Sequence, residues 1–168
     1  STTVAQDAAV RLTLGPGVAL LDVIGYEWSA DGASVTIPVG DLTSNERREI
    51  VVELEIPRGS GSIRAASGEL RIPGAGRERP PSFTADVRYS DDLSAVRRGT
   101  NWEIQAKAEI ALSTRTVEHA MRALDEGRDD EAATMLTRAR AAGRGDGALL
   151  WVARADQLHA ELARRSHD

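Results

Sequence analysis

The sequence predicts a seven-stranded, immunoglobulin-like antiparallel β-sandwich over residues 1–112, followed by a C-terminal three-helix segment over residues 113–168. Two observations carry this expectation. Seven short segments with apolar residues at every second position are separated by turn formers at sandwich spacing. After residue 113 the apolar period changes from two to the three-or-four spacing of a helix.

The first strand holds Ala8, Val10, Leu12 and Leu14 alternating with Ala9, Arg11 and Thr13. Gly15-Pro16-Gly17 turns the chain. Val18 to Trp28 reads as one long second strand, apolar on both phases, which suits a central strand or one crossing between sheets. Gly25 marks a bulge or a close approach within it. Asp31-Gly32 is a hairpin signal. It leads into Val35, Ile37 and Val39, which alternate with Ser34, Thr36 and Pro38. Gly40 to Glu46 is a polar turn, and Ile50 to Pro57 forms the fourth strand. Ile63 to Ile72 is the fifth, with a phase shift near Ser67-Gly68 that reads as a bulge. Residues 73–82 form a Gly- and Pro-rich loop. Phe83 to Tyr89 is the sixth strand, and residues 90–101 are a polar loop. Trp102, Ile104, Ala106, Ala108, Ile110 and Leu112 alternate with Glu103, Gln105, Lys107 and Glu109. This reads as the seventh strand, with a helix as its competitor because Ala, Glu, Gln and Lys favour helix.

The helices follow. Val117, Ala120, Met121 and Leu124 face one way, and Gly127 ends the first helix. Asp129, Asp130 and Glu131 open the second, where negative charge suits the dipole. Ala132, Met135, Leu136 and Ala139 give its face, and Gly143 ends it. Trp151, Ala155, Leu158 and Leu162 define a third. About fifty residues alone make a marginal core, so this segment is expected to dock on the sandwich or on a partner. Gly127 to Ala133, after the helix ending Ala120 to Leu124, also resembles the turn of one tetratricopeptide unit, but a solenoid needs about three.

Composition narrows the function. The chain has 168 residues, 41% hydrophobic and 28% charged, which is a globular balance. Residues 1–98 carry 11 basic and 14 acidic side chains, and residues 99–168 carry 10 and 12. No basic block exists, which argues against a nucleic-acid partner. No apolar run approaches the roughly 20 residues that span a bilayer. The start, Ser1 to Asp7, is not a signal peptide and looks like a cut inside a longer polypeptide. There is no Cys, so disulfides, thiol catalysis and Cys-based zinc sites are excluded.

The constellations that resemble chemistry have simpler readings. Arg144-Gly145-Asp146 is the adhesion tripeptide, but it sits between Gly143 and Gly147 where two helices must be joined. Asp92-Leu93-Ser94-Ala95-Val96 begins like an Asp-x-Ser-x-Ser metal motif and loses a hydroxyl at Val96. His119, His159 and His167 lie far apart and lack a fourth zinc ligand. Gly59-Ser60-Gly61 lacks the spacing of a nucleophile elbow. Glu53, Glu55, Asp86 and Glu103 read as a solvated sheet face and not as a glycosidase pair. No catalytic residue, metal or cofactor is expected. Tyr26, Trp28, Trp102 and Trp151 are the candidate interaction residues. Their rings could stack on a sugar, and each also falls on an apolar phase that suits packing.

One resemblance spans most of the chain. Pro16-Gly17-Val18, Gly25-Tyr26, Val39-Gly40-Asp41-Leu42, Glu46-Arg47-Arg48 and Val52-Leu54-Ile56-Pro57 resemble the region that follows the metal-binding domain in bacterial von Willebrand factor A domain proteins. Val87-Arg88-Tyr89 continues the match. Ala120, Leu124, Gly127, Glu131-Ala132 and Leu136 complete it in the helices. The A domain itself, with its Asp-x-Ser-x-Ser site, is absent. The resemblance implies a non-catalytic interaction or scaffolding module whose partner is an upstream A domain or another protein. A carbohydrate-binding sandwich is the alternative.

Overall fold

A computed structural model describes residues 2–76, 79–142, 157, 158, 160 and 162–164. The chain forms two compact units, Ser1–Gly99 and Thr100–Asp168.

In the first unit, strands β1 (Thr3–Leu14), β3 (Ser29–Asp31), β4 (Ser34–Thr43), β6 (Ser62–Arg71) and β7 (Ser82–Arg88) form one antiparallel sheet in the order β3-β4-β1-β6-β7. Strands β2 (Ala19–Ile24) and β5 (Val51–Glu55) form a separate two-stranded ribbon. β1 is central because its apolar phase finds partners on both sides. Leu12 lies opposite Val35 and Gly68, and Val10 lies opposite Ile37 and Leu70. That face holds the buried Ala8, Leu12, Val35, Ile37 and Val39, and the ribbon adds Val23 with Leu20 and Val52. The opposite face is a polar lattice. One row reads Ser29, Thr36, Arg11, Glu69, Ser82 across the five strands. Gly68 has a packing reason: a Cβ there would overlap the Phe83 ring and press on Leu12.

The immunoglobulin-like seven-stranded sandwich is therefore corrected. The chain is mixed α and β, with a five-stranded antiparallel sheet, a two-stranded ribbon and helices. Two sequence readings led astray. The segment read as one strand from Val18 to Trp28 breaks after Ile24, where Gly25 takes φ +76°. Residues 25–28 belong to no strand, and Ser29–Asp31, which lies beyond the predicted segment, pairs with β4 in the other sheet. Trp102 to Leu112, read as the seventh strand, is the start of α2 (Trp102–Asp125). Asn101 caps it, its Oδ1 accepting the Ile104 N–H at 3.2 Å. The helix-favouring Ala, Glu, Gln and Lys side chains prevail over the apparent alternation, since nothing pairs with that segment as a strand.

A helix also replaces part of the expected polar loop. α1 (Leu93–Gly99) begins where the Asp92 carboxylate accepts the Ser94 N–H at 2.8 Å. Asp92-Leu93-Ser94 is a helix cap. The bulge expected at Ser67-Gly68 lies instead between Arg64 and Ala66.

The second unit is a helical hairpin of α2 and α3 (Asp129–Ala142). Val117, Ala120, Ala123 and Leu124 of α2 bury against Ala132 and Leu136 of α3. Leu158 is buried in the same cluster, and Leu162 packs on it. Of the expected third helix, residues 157, 158, 160 and 162–164 are helical. Trp151, Ala155, His159, His167 and the Arg144-Gly145-Asp146 tripeptide lie outside the described residues.

Candidate functional site

Of the residues that carried the family resemblance, those with a resolved role below hold the fold. The segment Val39 to Arg48 closes the far end of β4. β3 pairs only with Ser34, Val35 and Thr36, so the rest of that β4 edge needs another partner. Arg48 supplies it. Its guanidinium donates to the carbonyl of Val39 and, at 2.9 Å, to that of Asp41. Glu46 positions Arg48, accepting from its Nε at 2.6 Å. Glu46 also closes the turn, accepting the Thr43 N–H at 2.9 Å and the Thr43 hydroxyl at 3.1 Å. The Thr43 N–H, then Arg48, hold the Glu46 carboxyl below its ordinary value. Asp41 ties the turn to β1, accepting the Asp7 N–H at 3.1 Å.

A second set converges on Pro57. The Tyr89 hydroxyl donates to the Pro57 carbonyl at 2.6 Å. The Tyr89 ring lies over Gly59, where a Cβ would sit 3.1 Å from it. Pro57 in turn covers Gly17. Residues 17, 57 and 89, far apart in sequence, thus form one joint.

The helical residues do the same in the second unit. Gly127, at φ +74°, lets the Arg128 N–H reach the Ala123 carbonyl at 2.8 Å and its own N–H reach that of Leu124 at 3.0 Å. This double bond closes α2 and sends the chain back as α3. Arg128 holds the turn from outside by pairing with Glu131 and Glu126, which raise its pKa in that order.

The candidate interaction residues are divided between the two units. Tyr26 is half-buried against the sheet core. Trp28 is 40% exposed ahead of β3, in the first unit. Trp102 is 62% exposed at the start of α2, in the second unit. Trp151 lies outside the described residues.

Helical spacing shows what Trp102 belongs to. Trp102, Ala106, Ile110, Ser113, Val117, Ala120 and Leu124 recur at intervals of four, four, three, four, three and four, which is one stripe along α2. From Val117 on the stripe is buried against α3. Trp102 and Ile110 are open, Ile110 at 42% exposure. Length accounts for the difference. α2 has 24 residues and α3 has 14, about 36 and 21 Å at 1.5 Å per residue. In an antiparallel hairpin α3 thus ends level with residue 112 or so, and the first ten or so residues of α2 overhang it. The sequence pattern contained this stripe, but reading the segment as a strand concealed it.

A depression of about 530 Å³ on the polar sheet face is lined by Arg11, Thr13, Ser67, Glu69, Ser82 and Thr84, among others. Another of about 470 Å³ lies between α2 and α3 beside His119 and Met135. Among the described residues no polar or charged side chain is buried, and no group of three His, Asp or Glu is placed to hold a metal. No described helix is long and apolar enough to cross a membrane.

No family model matches the chain. It is 29% identical over 151 residues to an E3 ubiquitin-protein ligase, WAV3, of Arabidopsis thaliana. That match covers 83% of this chain and 20% of the ligase, so the chain spans a fifth of that protein's length. In structure it is similar to a von Willebrand factor type A chain from Catenulispora acidiphila, with a TM-score of 0.61 at 17% identity. That likeness covers 84% of this chain and 36% of the other. It shows a shared fold: this chain is folded like part of a von Willebrand factor type A chain.

Proposed function

We propose that this chain is a non-catalytic interaction module that accompanies a von Willebrand factor A domain and supports its assembly with other proteins. The observation that carries the reading is the open end of the α2 stripe. Trp102 and Ile110 continue a helix–helix seam into solvent, and an uncovered apolar seam is a contact surface. Two further points support it. The matching segments serve the fold at the Arg48 latch, the Pro57 joint and the Gly127 turn, which supports a structural role for them. The stretch shared with the plant ligase has no Cys here. Ubiquitin transfer through a thioester or a Cys-ligated zinc module needs one, so this stretch is accessory to such an activity. The packing of half-buried Tyr26 against the sheet core weighs against its use in a sugar platform.

The test is a titration of the isotope-labelled 168-residue chain with an A domain from the polypeptide that carries it. Saturable shift changes centred on residues 102–110 are expected. Shifts confined to the polar sheet face, or none with the A domain while a glycan array gives hits, would refute the reading.

A further inference from the structure

We infer that the cleft between α2 and α3 is a binding site for an acidic segment of a partner protein, with an apolar side chain between two carboxylates. The cleft is separate from the Trp102–Ile110 face and independent of what binds there. Its shape, its charge and the placement of its donors point to this ligand.

Leu112, Arg115 and His119 recur at intervals of three and four along one flank of α2, and Met135 and Arg138 at three along α3. The turn at Gly127 sets these flanks against each other, and the cleft of about 470 Å³ opens between them. Leu112 and Met135 are half-buried and give it an apolar floor. The flexible Met side chain adapts such a floor to different apolar groups. From Leu112 to His119 the cleft runs about 10 Å, room for about three residues of extended chain. An inorganic oxyanion would leave most of this volume empty.

The charge is one-sided. The cleft is lined by Arg115, His119 and Arg138, and none of the described residues lining it is acidic. This local excess stands in a chain of net charge −5. Neighbouring carboxylates do not cancel it. Glu131, one turn before Met135, is paired with Arg128. Glu118 leaves α2 about 100° round the axis from His119 and does not line the cleft.

The donors stand where such a ligand needs them. Arg115 has a partner within the chain, whereas Arg138 and His119 have none among the described residues. Both are exposed, one on each helix. When an apolar side chain of an extended segment points at the floor, its two neighbours point away from it. They rise to the rim, where Arg138 and His119 meet them from opposite sides. A guanidinium fork matches a carboxylate, and the His119 N–H and the Ser113 hydroxyl add further donors.

The test is a titration of the isotope-labelled 168-residue chain with a capped Gly-Glu-Leu-Glu-Gly peptide at low salt. Exposed ion pairs are individually weak, so saturable shift changes with a Kd of about 1 mM are expected, confined to residues 112–119 and 135–138. Gly-Gln-Leu-Gln-Gly and Gly-Glu-Gly-Glu-Gly should each bind about fivefold more weakly or worse. Arg138→Glu should weaken the first peptide to the same degree, with an unchanged circular dichroism spectrum because the side chain is exposed. Arg88→Glu makes the same change of net charge in the first unit and should leave binding unchanged. Equal binding of the Gln peptide, unaltered binding by Arg138→Glu, shifts outside the cleft or none at all would overturn the inference. Inorganic phosphate that matches the peptide in affinity would also overturn it, by making the cleft a site for free oxyanions. None of these outcomes bears on binding at residues 102–110, so the proposed function stands or falls separately.

Discussion

Arg48→Ala tests whether the Gly40–Arg48 motif is a structural latch. The substitution removes two hydrogen bonds from a guanidinium to the carbonyls of Val39 and Asp41, and a third contact to Glu46. Hydrogen bonds to a charged group contribute about 1.5–3 kcal/mol when desolvated. The Arg48 side chain is about a third exposed, and the released carbonyls at this edge gain water in the variant. The expected loss is therefore about 1–3 kcal/mol for the whole latch, not per bond. Arg48→Lys should recover little of it, because one ammonium cannot reach three acceptors as a planar fork does. The assay is urea unfolding combined with hydrogen exchange read by mass spectrometry. Amides of β4 and of the facing half of β1 should exchange faster, and those of the α2–α3 hairpin should not change. A variant within about 0.3 kcal/mol of the parent, or one with faster exchange spread evenly, would refute the latch.

Other outcomes follow from single contacts. Tyr89→Phe keeps the ring over Gly59 and loses the bond to Pro57, so urea unfolding should show a loss of about 1 kcal/mol. Gly15→Ala would drive a Cβ into the Arg64 carbonyl, beside the Gly15 N–H bond to Ala65 at 2.9 Å. It should cost about 1–3 kcal/mol or more by overpacking, visible as a lowered Tm. Leu136→Ala empties a fully buried position in the small helical core. A loss of about 2–5 kcal/mol should unfold the hairpin first, seen as lost helical ellipticity with the sheet's exchange protection retained. The folded pKa of Glu46 lies below its ordinary value of 4.5, so its contribution is present above pH 4.5 and disappears as pH falls through the lower, folded value. Glu46→Gln should flatten that part of an acid unfolding profile, and an unchanged profile would contradict the turn described here.

How much of this was legible depended on whether local signals agreed. β4, β5, β6 and β7 were legible because alternation, flanking turns and β-branched content point the same way. The helical hairpin was legible from its period, its acidic first turn and Gly127. The break at Gly25 was not legible: apolar residues on both phases run on to Tyr26, whereas the strand ends at Ile24 and residues 25–28 lie in no strand. The Trp102–Leu112 segment failed because apolar residues at every second position also contain a four-residue stripe. Trp102, Ala106 and Ile110 satisfy both patterns, and the Asn101 cap was the available signal that decides between them. α1 was missed for a related reason, its Asp92 cap having been read for resemblance to a metal motif. The candidate site shared that fate. Its Trp was noticed as a ring, and the helix face that gives the ring meaning appears only once the segment is helical.

The most direct test of the account is a hydrogen-exchange footprint of the chain, alone and with the von Willebrand factor A domain proposed as its partner, at matched and low micromolar concentration. The account predicts added protection on the exposed first turns of α2, around Trp102 to Ile110. It predicts none at Asp41 to Arg48 or around Pro57, where the side chains already serve the fold. Protection centred on those motif segments, with α2 unchanged, would contradict it and make the motif itself the binding site.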